Sequence, residues 1–376
     1  MSNIKANSNK IALFLPSLHV GGAERVLLNL AWGFDERGLA VDLVVAKAEG
    51  PYLSQVPKGI RVVDLRASRI LTSVPALAHY LRRERPAVML SAIDHANIVA
   101  LWARKLSAAP SRIVVSVHST LTRATSNEPH VRGRLVPRLA GWFYPWADEV
   151  VAVSQGVAED LAASTGLSAE RIKVIYNPVV TPELLKKAQE PLDHPWFASG
   201  QPPVILAVGR LTVAKDYPTL IRAFALVRAK RSVRLMILGE GEERSGLENL
   251  VRELKLEENV LLPGHVDNPY NYMAQAAVFV LSSAWEGFGN VLVEAMAVGT
   301  PVVSTDCPSG PAEILEGGKW GRLVPTGNPA ALADAITATI IDRPGDAGLD
   351  RYLENFGLER ISGEYLKVLL PMLSRT

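Results

Sequence analysis

The segment Trp285-Glu286-Gly287-Phe288-Gly289-Asn290-Val291-Leu292-Val293-Glu294-Ala295-Met296-Ala297-Val298-Gly299-Thr300-Pro301 decides how the second half of this chain folds. It lies between two short apolar runs, Val278 to Leu281 and Pro301 to Ser304, whose length and composition read as buried strands. Gly287 and Gly289 permit a tight loop with exposed backbone, Asn290 is placed to cap, and Asn290 to Ala297 carries the apolar spacing of a helix. A strand, a glycine loop and a helix in that order leave unbonded N–H groups and the positive end of the helix dipole beside the loop. A phosphate or a sugar hydroxyl fits there. Glu286 in the loop and Glu294 inside the helix bracket that point, and carboxylates bind sugar hydroxyls through charge-assisted hydrogen bonds. On spacing alone a second reading stands beside this one, in which Glu294 caps a neighbouring loop and Glu286 is solvated.

Moving outward, the same alternation of strand and helix covers the chain. The runs Ile11 to Leu15, Val41 to Val45, Arg61 to Leu65, Val88 to Ala92, Ile113 to Val117 and Glu149 to Val153 read as strands, with helices over Ala23 to Arg37 and Val74 to Glu84. A Pro-rich and polar passage, Asn177 to Pro203, interrupts the pattern, which resumes with strands Val204 to Val208, Arg234 to Leu238 and Val260 to Leu262. Helices are expected at Tyr217 to Lys230, Glu243 to Leu254 and Ala330 to Ile341, and an amphipathic helical region over Arg351 to Leu373. Alternation of this kind builds parallel sheets. The expectation is an α/β chain of two Rossmann-like, doubly wound domains, residues 1–190 and 191–350, facing a central cleft. Residues 351–376 form a helical segment that either stays with the second domain or crosses back to the first. No repeat and no low-complexity tract argues for a solenoid or a disordered partner protein.

Charge divides the two halves. Residues 1–190 carry 23 Lys or Arg against 16 Asp or Glu, a net of +7, whereas residues 191–376 carry 17 against 22, a net of −5. Ten of the basic residues fall between His79 and Arg138: Arg82, Arg83, Arg85, Arg104, Lys105, Arg112, Arg123, Arg132, Arg134 and Arg138. Such a run reads either as a solvated face or as a surface for anionic lipid or a lipid-linked diphosphate. The aromatic stretch Gly141-Trp142-Phe143-Tyr144-Pro145-Trp146 extends that choice, since aromatic and basic residues together suit a lipid interface and a helix packed on a sheet equally. No stretch approaches the roughly 18 apolar residues that cross a bilayer. The single Cys307 supplies no sign of an oxidising compartment. A cytoplasmic chain is expected, with residues 79–146 as the candidate contact to the inner face of the plasma membrane. Nothing suggests a nucleic-acid partner.

Other strand ends carry polar groups of interest. After Val204 to Val208 come Gly209, Arg210 and, five residues beyond, Lys215, two cations able to neutralise a departing diphosphate. After the first strand, His19-Val20-Gly21-Gly22-Ala23-Glu24-Arg25 opens a helix with glycine backbone that a phosphate can approach, although a bare Gly-Gly also simply makes a turn. Glu24 suits the helix start. His118 follows Ile113 to Val117, and Asp94 with His95 follows Val88 to Ala92; each reads as a site group or as a turn residue. Glu240, within Gly239-Glu240-Gly241, reads better as a turn. Ser154, Asn177 and Cys307 show no catalytic setting.

The Glu286-to-Glu294 pair within EGFGNVLVEAMAVGTPVV resembles the retaining glycosyltransferases of family 4, which have the GT-B fold, and the likeness extends over nearly the whole chain. That resemblance implies contacts of Glu286 with the donor sugar and of Glu294 with the nucleotide ribose, with the backbone of Phe288, Gly289, Asn290 and Val291 near sugar and phosphate. It further implies Gly209, Arg210 and Lys215 at the diphosphate, Gly21 and Gly22 opposite them, His118 on the donor sugar, and the Gly264-His265-Val266 backbone at the base. The string Asp306 to Leu315 resembles a subgroup that acts on lipid-linked or polysaccharide acceptors, though Ala312 stands where many members have arginine.

The function so implied is transfer of a hexosyl or N-acetylhexosaminyl unit from a nucleotide diphosphate sugar, UDP-linked by expectation, to a lipid-linked or glycan acceptor with retention of configuration. No cofactor and no metal are called for, because Arg210 and Lys215 supply the positive charge. Two alternatives remain from the sequence: a catalytically silent sugar-nucleotide-binding subunit, and a nucleotide-sugar 2-epimerase, which would need acid and base groups on the sugar ring.

Overall fold

The computed structural model describes residues 7–122, 136–343 and 345–371. The chain divides into two compact units, one holding residues up to Val179 together with those from Phe356 onward, the other Val180–Asn355. The first unit is built on seven strands: β1 (Asn7–Leu15), β2 (Val41–Val45), β3 (Arg61–Asp64), β4 (Pro86–Ala92), β5 (Arg112–Val117), β6 (Glu149–Ala152) and β7 (Ile172–Val174). They pair in parallel in the order β3-β2-β1-β4-β5-β6-β7. Its helices are α1 (Gly22–Asp35), α2 (Val74–Glu84), α3 (Asp94–Ser107), α4 (Val136–Phe143) and α5 (Gln155–Thr165). In the second unit, β8 (Val204–Val208), β9 (Arg234–Leu238), β10 (Val260–Gly264), β11 (Val278–Leu281), β12 (Val302–Thr305) and β13 (Arg322–Val324) run parallel in the order β10-β9-β8-β11-β12-β13. Helices α6 (Pro182–Ala188), α7 (Tyr217–Arg228), α8 (Arg244–Glu253), α9 (Tyr270–Gln275), α10 (Asn290–Ala297), α11 (Pro311–Ile314), α12 (Pro329–Ile341) and α13 (Leu349–Leu353) accompany them. The last helix, α14 (Leu358–Leu369), belongs to the first unit.

Two doubly wound parallel sheets are therefore present. Ile11 to Leu15 of β1 is wholly buried, as a central parallel strand covered on both faces must be. In each sheet the direction of winding reverses once, between β1 and β4 and again between β8 and β11. Loops that leave neighbouring strands toward opposite faces open a crevice at such a reversal, and ligands of open α/β sheets bind there. Among the described residues, no helix is long and apolar enough to cross a membrane.

The unit boundaries differ from those read in the sequence. The chain leaves the first unit at Val179, ahead of residue 190, because α6 packs against α9 of the second unit. It returns at Phe356, whose carbonyl accepts from Val179 N–H at 2.9 Å and whose ring lies 5.6 Å from Tyr176. The region Arg351 to Leu373 is not one helix: Gly357 separates α13 from α14. Helix α14 docks on α1 at Gly33, where any Cβ would collide with Ser362 Oγ, and buries Ile361, Tyr365 and Leu369 in the core that β1 and β4 line. The short outer strands β7 and β13 had no distinct signal in the sequence.

At the amino ends of the first sheet, Asp42 is buried and ionised. It accepts from Tyr80 OH at 2.8 Å and pairs with Arg61 at 2.5 Å and Lys10 at 3.3 Å, while Glu84 pairs with Arg61 at 2.9 Å and Lys10 at 3.0 Å. Burial alone would raise the Asp42 pKa, but the bonds from Arg61 and Tyr80 and the nearby charges outweigh it and hold the carboxyl below its usual value; Arg61 and Lys10 do the same for Glu84. Depressed folded values mean that this stability is complete above about pH 5 and is lost as pH falls through them. Asp42→Asn should cost about 3 kcal/mol at pH 7, and the gap from wild type should narrow near pH 3, as measured by urea unfolding at the two pH values.

Candidate active site

At the reversal in the second sheet, the loops after β8 and β11 meet. The β8 strand ends in Gly209 and Arg210, then a single 3₁₀ turn, Val213–Lys215, delivers Lys215 just before α7. Ser282 Oγ donates to the Lys215 carbonyl at 2.7 Å and Ala284 N–H to the Ala214 carbonyl at 2.8 Å, so the two loops are stitched together by backbone. Across that seam Lys215 Nζ lies 2.5 Å from Glu286 Oε1. Ser283 Oγ donates to the same oxygen at 2.6 Å. The Glu286 side chain is only 11% exposed and that of Lys215 20%, so the pair is largely removed from water.

Two neighbours register that charge. Burial and then the Glu286 carboxylate push the Tyr217 phenol well above its ordinary value, and the same two causes push the Cys307 thiol up to about 12. Cys307 is thus an inert, buried thiol beside the pair. Pro308 accepts from Glu286 N–H at 3.3 Å, and Gly310, at φ +91°, lies so close beneath the Phe288 carbonyl that no Cβ fits. The loop Asp306 to Gly310 is the floor on which the Glu286 loop rests.

Helix α10 begins at Asn290, so the residue expected as its cap is its first helical residue instead. The cap position falls to Gly289, at φ +100°, without a side-chain cap bond, because the left-handed backbone that turns the loop into the helix suits glycine. Phe288 is buried, Val291 and Glu294 are half-buried on α10. On the other side of β8, Gly239 follows β9 at φ +146° with its Cα against the Gly209 carbonyl, and it donates to the carbonyl of Gly264, which ends β10. Close packing of these strand ends leaves Arg210 exposed beside them, with His265 exposed and Val266 half-buried beyond Gly264. Glu240 does more than turn the chain: it holds Arg244 at 2.7 Å, and Arg244 donates to the Leu262 carbonyl at 3.2 Å, bracing the His265 loop.

Gly21, Gly22 and His118 belong to the first unit. Gly22 opens α1 with Gly21 extended before it, and the Glu24 carboxylate folds back over Gly21, as an acidic residue in a first helical turn does. His118 stands half-buried beyond β5, and burial pushes its imidazole down to about 4, so the ring is neutral. Its Nε2 lies 3.0 Å from Ser116 Oγ. Asp94 opens α3 after Ile93, a β-branched residue held at φ +75°, and accepts from Tyr144 OH at 3.2 Å. Burial raises its carboxyl to about 6 despite that bond. Nearby Asn97 donates to the Ser116 carbonyl at 3.0 Å, while its Oδ1 is buried without a partner among the described residues. Lys215 and Glu286 are the sequence candidates brought into direct contact. Ser283 and Ser116 went unread in the sequence although each stands within three residues of a candidate, and Tyr365, which reaches Ser116, had no local signal at all.

Comparison with known proteins follows this geometry. Residues 20–182 match the family model described as Glycosyltransferase Family 4, and residues 189–356 that described as Glycosyl transferases group 1. The chain is 33% identical over 250 residues to the N-acetylgalactosamine-N,N'-diacetylbacillosaminyl-diphospho-undecaprenol 4-alpha-N-acetylgalactosaminyltransferase of Campylobacter jejuni, a stretch that spans 66% of each chain. It is 29% identical to the lipopolysaccharide core biosynthesis glycosyltransferase LpsE of Rhizobium meliloti, over 93% of this chain and 96% of that one. Among solved structures, Anabaena HepE in complex with UDP-glucose superposes with a TM-score of 0.73 at 22% identity, covering 98% of both chains, a likeness of fold.

The floor of the site can be tested by comparing two left-handed glycines. Gly317, at φ +66° in open space, should cost about 1 kcal/mol on change to Ala, the price of the conformation alone. Gly310→Ala must also displace the Phe288 backbone and should cost at least about 2 kcal/mol, both read from denaturant midpoints.

Proposed function

Since the chain belongs to glycosyltransferase family 4, with the two-domain architecture of that family, we propose that it transfers a hexosyl or N-acetylhexosaminyl unit from a UDP-sugar to a lipid-linked or glycan acceptor, retaining the anomeric configuration. The observation that carries this reading is the Lys215–Glu286 contact at the reversal of the second sheet, where a cation for a diphosphate and a carboxylate for sugar hydroxyls are held side by side. The names of the Campylobacter and Rhizobium relatives support a lipid-linked or polysaccharide acceptor.

In this mechanism the bond from the anomeric carbon to the diphosphate oxygen breaks, the bond to the acceptor oxygen forms on the same face, and the acceptor proton passes to the departing diphosphate. Charge accumulates on the leaving group, so preorganised positive groups do the stabilising. Those are Lys215, Arg210 and the N-terminal end of α10, with the backbone of Gly209 and of Phe288 to Val291 alongside. Arrival of the diphosphate draws Lys215 from Glu286 toward phosphate oxygen and frees the carboxylate to accept from sugar hydroxyls. Glu294 takes the ribose and the His265-Val266 backbone the base, while in the first unit Gly21 and Gly22 offer backbone to a diphosphate and His118 a ring nitrogen to a sugar. A resident metal is not required by this scheme.

We place the acceptor-side membrane contact on the edge made by α4 and the end of α3. Trp142 is 69% exposed, Leu106 56% and Trp146 36%, and Lys105 Nζ sits 5.0 Å over the Trp146 ring. An aromatic and basic edge of this kind suits a headgroup layer. The basic segment contributes less than its count suggests. Arg104 is engaged by Asp148 at 2.7 Å and the Trp146 carbonyl, Arg82 caps the end of α3 through the Leu106 carbonyl, and Arg112 faces Glu149. Arg83, Arg85, Lys105 and Arg138 point outward, whereas Arg123, Arg132 and Arg134 lie outside the described residues.

Lys215→Ala should lower kcat at least a hundredfold, about 3 kcal/mol of transition-state stabilisation, with folding retained; near wild-type turnover would sink the assignment. Screening nucleotide sugars for slow hydrolysis, then acceptors with the best donor, tests the reaction itself. Wild-type protein should sediment with anionic vesicles at low salt, and Trp142→Glu should abolish that; if the wild type does not bind, the membrane contact is dropped.

A further inference from the structure

We propose that Tyr365 and Ser116 are positioning residues that hold His118 in the tautomer with its hydrogen on Nδ1, so that the ring offers one fixed N–H to a ligand oxygen. This deepens the donor-sugar role given to His118 above and rests on that reading for its ligand, though not for its chemistry. Ser116 lies near the end of β5 and His118 is the residue just beyond it, two positions on, so the two side chains come within reach of one another. Ser116 Oγ is 3.0 Å from His118 Nε2 and 3.3 Å from Tyr365 OH, which α14 brings in from 249 residues further along the chain.

Distances alone allow either direction of hydrogen bonding, and burial selects between them. Tyr365 and Ser116 are both fully buried, and no other described group lies within hydrogen-bond reach of the Tyr365 phenol. The phenol keeps its proton, since burial pushes its pKa up to about 12. That proton must be donated, because an unpaired buried O–H is costly, and Ser116 Oγ is the acceptor within reach. The Ser116 hydroxyl then turns its own hydrogen to His118, whose Nε2 must accept it as a bare lone pair. A neutral imidazole carries one hydrogen, so it resides on Nδ1. In the reverse arrangement His118 would donate from Nε2 to Ser116, Ser116 to Tyr365, and the phenol hydrogen would have no partner.

The consequence is a donor rather than an acceptor at the free edge of the ring. No described residue accepts from Nδ1, and burial keeps the imidazole uncharged at neutral pH. An uncharged N–H suits a sugar hydroxyl oxygen better than a charged phosphate. Placement of Tyr365 on the helix that returns from the second unit makes the tautomer depend on closure of the chain onto α1 and β4.

The test uses the full chain with nitrogen-labelled histidine. Imidazole nitrogen NMR at pH 7 should find His118 protonated on Nδ1 in wild type and shifted toward a mixture in Tyr365→Phe and Ser116→Ala, with folding checked by circular dichroism. An Nε2 hydrogen in the wild type overturns the proposal, whatever the protein transfers. In steady state, each variant should lower kcat/KM for the nucleotide sugar about tenfold. In a His118→Ala background Tyr365→Phe should add nothing, whereas an undiminished effect there would show that Tyr365 acts on stability and not through His118. Absence of transfer by wild type from any nucleotide sugar would overturn the functional reading while the tautomer result stands.

Discussion

A carboxylate taken out of water has to be paired, and Glu286 is paired by Lys215 at 2.5 Å and by Ser283 at 2.6 Å. Of the two, only Lys215 is a consequence of topology, since Ser283 stands three residues before Glu286 in the same loop. Lys215 comes from the loop after β8 and Ser283 from the loop after β11, strands that are neighbours in the sheet but leave it toward opposite faces. The surrounding architecture serves that contact: bonds from the Ser282 hydroxyl and the Ala284 N–H stitch the loops, and Thr305 Oγ1 of β12 donates to the Ser283 carbonyl at 2.6 Å. Beneath them Pro308 and Gly310 fix the height of the Glu286 loop. A buried ion pair contributes little net stability, so a pair retained at a strand-end crevice reads as a poised site.

The first unit shows the same division of labour along its strands. At the amino ends, Asp42, Glu84, Lys10, Arg61 and Tyr80 satisfy one another, and the charges there serve cohesion. At the carboxyl ends the polar groups are left short of partners. Asp94 has its carboxyl raised by burial to about 6, Asn97 Oδ1 and Ser91 Oγ are buried without partners among the described residues, and Ile93 is held in a left-handed conformation that β-branched residues avoid. The contrast is not complete, since Ser111 Oγ and Arg112 Nε at the amino end of β5 are also buried without partners among the described residues, and Arg85 just before β4 is at φ +45°.

Much of this was legible in the sequence. Central strands announce themselves, because burial on both faces demands an unbroken apolar run such as Ile11 to Leu15. Peripheral elements do not: β7 and β13 have three residues each, and α14 could not be told from α13 until Gly357 was seen to separate them. Glu286 and Lys215 could be singled out as candidates because charged residues beside glycines are unusual for a strand-end loop, and the structure brings these two into contact. Asn290 was misplaced as a cap by one residue, since a left-handed glycine can start a helix without a side-chain bond.

The amino-acid sequence by itself determined two parallel sheets and the strand ends that carry charge and glycine, because hydrophobic periodicity and turn chemistry act over a few residues. Tertiary structure alone decided which of those groups meet. Lys215 and Glu286 are 71 residues apart in the chain, and Ser116 and Tyr365 are 249 apart. Whether such residues pair is set by strand order and by where the last helix docks, and those follow from packing of whole elements around a core, which no local pattern encodes.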